Sequence, residues 1–136
     1  MISQALADFD KAISLSTSFH EAYYNRGLTY NKTGSFDKAI ESFDRSLEID
    51  PNNADAYVSR GISYALINRN DMALEDFNKA IRLNENHALA RFNRGNLRLN
   101  TGNSELATLD FQKACDLGDK DGCNSWEALR RPIKNQ

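Results

Sequence analysis

Apolar and small residues recur along this chain at steps of three and four. Ala22, Tyr23, Gly27 and Tyr30 form one such set, and Phe36, Ala39, Ile40, Phe43 and Leu47 form the next. That spacing gathers each set on one stripe of an α-helix and does not follow the alternation of a strand. The polar breaks agree. Gly34 and Gly102 suit a left-handed helix C-terminus, with Asn68 as the substitute between them. Ser35, and Ser104 or Asn103, are placed to cap the helix that follows each break. Pro51 stands just past a helix end, with Asn53 as the next cap, while Glu85 and Asp119 replace the proline later and predict looser turns.

The pattern then repeats. Gly27, Gly61 and Gly95 are 34 residues apart, and Ala39, Ala73 and Ala107 keep the same interval, as do Phe43, Phe77 and Phe111. Carried backwards, the interval reaches Ala5 and Phe9, so the chain opens halfway through a unit. A chemical site needs its residues once, whereas a motif that returns at a fixed interval is a building block. The reading is one all-α domain over 1–131: a half repeat at 2–19, units at 20–53, 54–87 and 88–121, a capping helix at 122–131 and a tail at 132–136. A glycine inside a helix costs about 1 kcal/mol against alanine, so three at one register imply close helix approach. Gly27 is expected to face Ala39 and Ser46, with Tyr23, Tyr30 and Phe43 at the flanks.

These residues resemble the tetratricopeptide repeat, a helix-turn-helix unit of the same period. The unit at 20–53 matches through Tyr23, Gly27, Tyr30, Ala39, Phe43 and Pro51, and departs at Ser46, where alanine is expected. The next matches through Tyr57, Gly61, Tyr64, Ala73, Phe77 and Ala80. In the third, Arg91 and Arg98 replace both aromatics, which reads as a terminal unit meeting water. Beyond it, Trp126 and Leu129 are expected to cover the last core layer, Leu129 standing where the glycine belongs and Pro132 stopping the helix.

The resemblance implies an α/α solenoid, a right-handed superhelix whose concave face, lined by the first helix of each unit, holds a peptide or partner helix. The matching groove positions are Glu21, Tyr24, Asn25, Leu28 and Asn31, then Asp55, Val58, Ser59 and Ile62, then Leu89, Phe92, Asn93 and Asn96. Their other reading is solvated surface. Some relatives grip acidic chaperone tails with a clamp of Lys, Asn and Arg. Here Tyr24, Leu28, Ser59, Leu89 and Asn93 offer no cation at those places, so the expected partner is neutral or weakly basic. Cys115 and Cys123, eight apart, are similar to the pair that Sel1-like relatives of the repeat join as a disulfide. Cys115 also stands where Ile13, Leu47 and Ile81 stand in other units, which reads as a small buried apolar residue. Both readings stay open.

Arg26, Arg60 and Arg94 precede the three glycines as a ladder, expected to pair with carboxylates such as Asp8, Asp76 or Asp110 and not to bind a free anion. Composition removes several function classes. A net charge of -2 over 136 residues provides no field for nucleic acid or an acidic membrane. No apolar run approaches the roughly 20 residues of a membrane helix, and Asp8, Asp10 and Lys11 interrupt what a secretory signal would keep apolar. The default is cytoplasmic, or periplasmic or secreted if an upstream segment precedes this one. His20 and His87 lie far apart, no phosphate-cradling loop or nucleophile elbow is present, and no catalytic residue, metal or cofactor is expected. The function read from the chain is a protein-binding scaffold or adaptor. The alternatives are a self-assembling module docking through its N-terminal half unit, giving a homo-oligomer, and a fragment of a larger scaffold.

Overall fold

Three phenylalanines set the spacing of the interior. Phe43, Phe77 and Phe111 are at most 1% exposed, and each lies against the glycine of its own unit, on the preceding helix. The computed structural model describes residues 2–15 and 19–131, with side chains in the first helix through Lys11. Among these residues there are eight helices and no strand: α1 Ile2–Leu15, α2 His20–Thr33, α3 Phe36–Ile49, α4 Ala54–Leu66, α5 Asn70–Leu83, α6 Ala88–Asn100, α7 Ser104–Asp116 and α8 Lys120–Arg130. Each helix packs on its neighbours in sequence. In addition α2 meets α4 and α4 meets α6, so these three form one continuous wall of an α/α solenoid. No described helix is long and apolar enough to cross a membrane. The tail at 132–136, and with it the expected stop at Pro132, lies outside the described residues, as do 16–18 of the half unit.

The glycines make the close approach possible, though not against the residues expected. The nearest atoms to a Cβ placed at Gly27 belong to the ring of Phe43, at 2.5 Å, and not to Ala39 or Ser46. A phenyl ring lying on the helix backbone fills the space a side chain would take. Ala39, Ala73 and Ala107 are buried beside it. Ser46, where the repeat expects alanine, is buried with its hydroxyl donating to the carbonyl of His20 at 2.9 Å. The hydroxyl is thereby satisfied, and its burial carries little penalty.

Within each hairpin the chain reverses through a left-handed residue: Gly34 at φ 79°, Asn68 at φ 62° and Gly102 at φ 89°. Asn53 and Asn103 cap the following helices by accepting from Ala56 and Leu106. Ser35 sits at the same junction as Asn103, but its hydroxyl makes no cap bond.

The arginine ladder stitches the stack in both directions. Arg60 holds Asp76 of its own unit through Nε at 2.9 Å and Nη2 at 2.7 Å, and Asp44 of the unit before through Nη1 at 2.9 Å. Arg94 holds Asp110 in the same way and reaches back to Asn78. Arg26 holds Ser42 and reaches back to Asp10, where the sequence reading named Asp8. Burial works against charge on Arg60, yet the bonds to Asp76 and Asp44 outweigh it and hold the guanidinium above its ordinary range. Burial likewise pushes the Asp76 carboxyl up, and the Arg60 bonds pull it back only in part.

Arg91 and Arg98 do more than face water. Tyr57 donates from its hydroxyl to the carbonyl of Pro51, and Arg91, one unit later, makes the matching bond to the carbonyl of Glu85. Arg98 adds a bond at 2.7 Å to the buried Asp110. The C-terminal helix departs from the repeat. Asn53 caps at Ala56 and His87 at Ala90, but the next cap is Asp119 at Gly122, two residues early for the interval. Counting from the cap, Glu127 and not Leu129 falls at the glycine register, and Leu129 is exposed instead of covering the core. Trp126 is half-buried under the guanidinium of Arg130, 4.5 Å from the ring centroid. Cys115 and Cys123 are joined as a disulfide with their Cα atoms 4.4 Å apart, which displaces the free, buried reading of Cys115.

Candidate functional site

The wall formed by α2, α4 and α6 carries the groove positions, but they are not equivalent. Tyr24 and Phe92, at one register two units apart, lie half-buried on the phenylalanine of their own unit: Tyr24 on Phe43 at 5.9 Å and Phe92 on Phe111 at 5.7 Å between centroids. Both rings remain partly exposed. Burial raises the Tyr24 phenol above its ordinary range, with a smaller opposing pull from Ser59. Val58 holds this register in the middle unit and is 1% exposed within the core cluster, so it is a packing residue and not a contact for a ligand. A branched side chain with no ring to extend stays inside where the aromatics project.

Several polar groups of the wall are already engaged. Asn31 accepts from the hydroxyl of Ser63 at 2.6 Å and donates to the carbonyl of Ser59, tying α2 to α4. Asp55 has a side chain 69% exposed and accepts from Nε2 of His87 at 2.7 Å, while Nδ1 of the same ring accepts the backbone amide of Ala90. His87 is therefore the cap of α6 and also reaches back to α4. Asn25 is exposed, Leu28 and Ser59 are half-buried, and Ile62 packs partly against the core.

Between α4 and α6 the wall deepens into a hollow of about 250 Å³. Ile62, Asn93 and Asn96 line it, and these the groove pattern named. Phe77 and Leu97 at its floor, and Asn68, Asn70 and Asn100 at its rim, the pattern did not name. These residues come from α5, α6 and the turn after α4, so helical register on one helix alone does not reveal them. The signal available in the sequence was the crowding of asparagines around Asn68 and again from Asn93 to Asn100. Among the described residues no three His, Cys, Asp or Glu side chains converge to hold a metal ion.

The family model for the tetratricopeptide repeat matches residues 20–53 and 54–87. No curated protein matches the sequence as a relative. Among solved structures, a crystal structure of MamA superposes with a TM-score of 0.82 at 19% identity, over 94% of this chain and 86% of that one. The first repeat domain of Spaghetti (RPAP3), bound to the HSP90 peptide SRMEEVD, gives 0.76 at 24% identity, over 81% of this chain and 89% of that one. The second repeat domain of human RPAP3, in complex with the HSP70 peptide SGPTIEEVD, gives 0.73 at 27% identity, over 81% and 93%.

Proposed function

The chain belongs to the tetratricopeptide repeat family, and from that premise we propose that it is a non-catalytic scaffold that holds a segment of another protein against the wall of α2, α4 and α6. One observation carries the reading: the wall that bears the partly exposed rings of Tyr24 and Phe92 also holds a hollow whose lining bears no charged side chain. Apolar area with a few polar groups around it is the usual make-up of a recognition site.

The RPAP3 domains hold peptides that end in Glu-Glu-Val-Asp. This wall is a poor match for such a tail. Its positions Tyr24, Leu28, Ser59, Leu89 and Asn93 bring no cation, and a carboxylate placed there would lose water without gaining a partner. The occupant is neutral or weakly basic, a preference consistent with Asp55 and Glu21 at the wall's edge. The closed Cys115–Cys123 pair supports an oxidising compartment in place of the cytoplasmic default.

Affinity enrichment from the native cell extract tests the reading, with the wild type compared against a Tyr24→Ala, Phe92→Ala double variant. A partner captured by the first and lost by the second, with helicity retained by circular dichroism, is the expected result. Capture of the same proteins by both variants removes the wall as the binding surface.

A further inference from the structure

Two rungs of the arginine ladder end on a buried carboxylate, and the first does not. Arg60 gives Nε and Nη2 to the two oxygens of Asp76, and Arg94 gives the same pair to Asp110. One period earlier Ser42 holds that register, fully buried. Its hydroxyl accepts from Nε of Arg26 at 2.9 Å and donates to the carbonyl of Lys38 at 3.0 Å. Nη1 of Arg26 reaches Asp10 at 3.2 Å, while Nη2, which binds the second carboxylate oxygen in the later rungs, has no hydrogen-bond partner among the described residues. The same rung departs from the repeat at a second place. Lys38 stands one turn before Ser42, where the later units carry Met72 and Leu106. Its ammonium lies 5.8 Å from the centroid of the Tyr30 ring and has no carboxylate partner among the described residues. Asp10, Arg26, Tyr30, Lys38, Glu41 and Ser42 line a hollow of about 260 Å³ between α1, α2 and α3. None of the six is a groove position.

We propose that this hollow binds a small free monocarboxylate, of formate or acetate size, in place of the missing aspartate. One oxygen accepts from Nη2 of Arg26 and the other from the ammonium of Lys38, while Ser42 keeps Nε. The later rungs define the chemistry. A guanidinium edge matches a carboxylate with two parallel donors, and at Arg26 that edge is only half used. Serine is shorter than aspartate, and the hollow beside it accommodates an acetate ion together with several waters. Charge limits the ligand further. Arg26 and Lys38 are balanced in the lining by Asp10 and Glu41, so a single added negative charge finds two donors, whereas a dianion or an acidic peptide meets two carboxylates that repel it. The ladder therefore pairs within the protein at Arg60 and Arg94 and stays open at Arg26. The site lies apart from the wall of α2, α4 and α6, and it does not depend on what that wall binds.

The test titrates sodium acetate into the full chain at neutral pH, with sodium chloride adjusted to hold ionic strength constant. Nuclear magnetic resonance follows the backbone amide of Ser42 and the Nε–H of Arg26. Both signals should shift along one saturable curve. Arg26→Gln should abolish the saturable shift at Ser42, and Lys38→Gln should weaken binding by about fivefold. Ser42→Asp supplies the carboxylate from the chain itself and should remove the acetate response. Where Ser42→Asp does not fold, as judged by circular dichroism, the Arg26→Gln and Lys38→Gln titrations decide. Shifts that never saturate, that chloride alone reproduces, or that persist unchanged in Arg26→Gln or in folded Ser42→Asp would overturn the site. Tighter binding of phosphate than of acetate would overturn the carboxylate assignment. Tighter binding of an Ala-Asp-Ala tripeptide with acetylated and amidated ends would overturn the free acid in favour of a carboxylate carried on a peptide.

Discussion

Gly61 lies directly against the ring of Phe77: a Cβ at position 61 would stand 2.7 Å from Cε1 of that ring and 3.2 Å from Cβ of Asp76. Two effects compete on replacement by alanine. The helix gains about 1 kcal/mol in propensity, while forcing a methyl into a filled core costs about 1–3 kcal/mol. Two atoms of the Phe77 ring would lie within 3.0 Å of the added carbon, so the clash wins. Gly61→Ala is expected to destabilise the domain by up to about 2 kcal/mol, read as a lower urea midpoint. A midpoint equal to the wild type or higher would contradict this packing.

The ladder arginines should differ sharply in their contribution. Arg60 pairs with Asp76, whose side chain is 4% exposed, so Arg60→Gln leaves a buried carboxylate without its cation at a cost of about 3–5 kcal/mol. Arg26 holds a serine hydroxyl and an aspartate 59% exposed, and Arg26→Gln should cost about 1 kcal/mol or less. Acid should narrow the Arg60→Gln deficit. Burial already raises the Asp76 carboxyl above the ordinary aspartate value of 3.8, and Arg60 is the group opposing that rise. Without Arg60 the folded variant binds a proton more readily than the unfolded chain does. Its stability therefore falls as pH rises from 3.8 through the raised folded value, and the gap to wild type closes on acidification. A gap independent of pH in urea titrations would contradict this account.

Asn68 holds φ 62° where its counterparts are Gly34 and Gly102. Asn68→Gly should leave stability within about 0.5 kcal/mol or raise it, and Asn68→Ala should lower it by about 1–2 kcal/mol, since alanine meets its own carbonyl in that conformation. Thermal melts of the two variants separate the outcomes, and equal melts would remove the conformational explanation.

Much of this fold is written in residues whose role does not depend on partners far along the chain. The interval between Gly27, Gly61 and Gly95 places the helices, and the turn chemistry of Gly34, Asn68 and Gly102 closes the hairpins. What escapes the sequence depends on side-chain reach. Gly27 is small for either an alanine or a ring, and only packing reveals that the ring of Phe43 takes the place. Val58 and Tyr24 share a register, yet one is sealed in the core while the other remains partly exposed, because their lengths differ. The hollow was least legible: Asn68, Asn70 and Asn100 have turn or surface readings singly, and become a rim only when α4 and α6 lie side by side.

The disulfide gives the end of the stack its own stability. Gly122 lies against Ala114, where an added Cβ would come within 2.7 Å, and Cys115–Cys123 ties the end of α7 to the start of α8. Closing so short a loop is worth about 2.5 kcal/mol through the unfolded state. In a solenoid each element contacts chiefly its neighbours, so that stabilisation stays local to α8. Trp126, the single tryptophan, sits on this helix and reports it alone. The unreduced protein should show no free thiol, and its tryptophan fluorescence and helical signal should melt together. With dithiothreitol, or in Cys123→Ser, the fluorescence transition should move several degrees below the helical one, while the helical midpoint shifts little. Coincident transitions after reduction would mean that the bridge contributes nothing separable to α8, and two free thiols before it would mean that the bridge does not form.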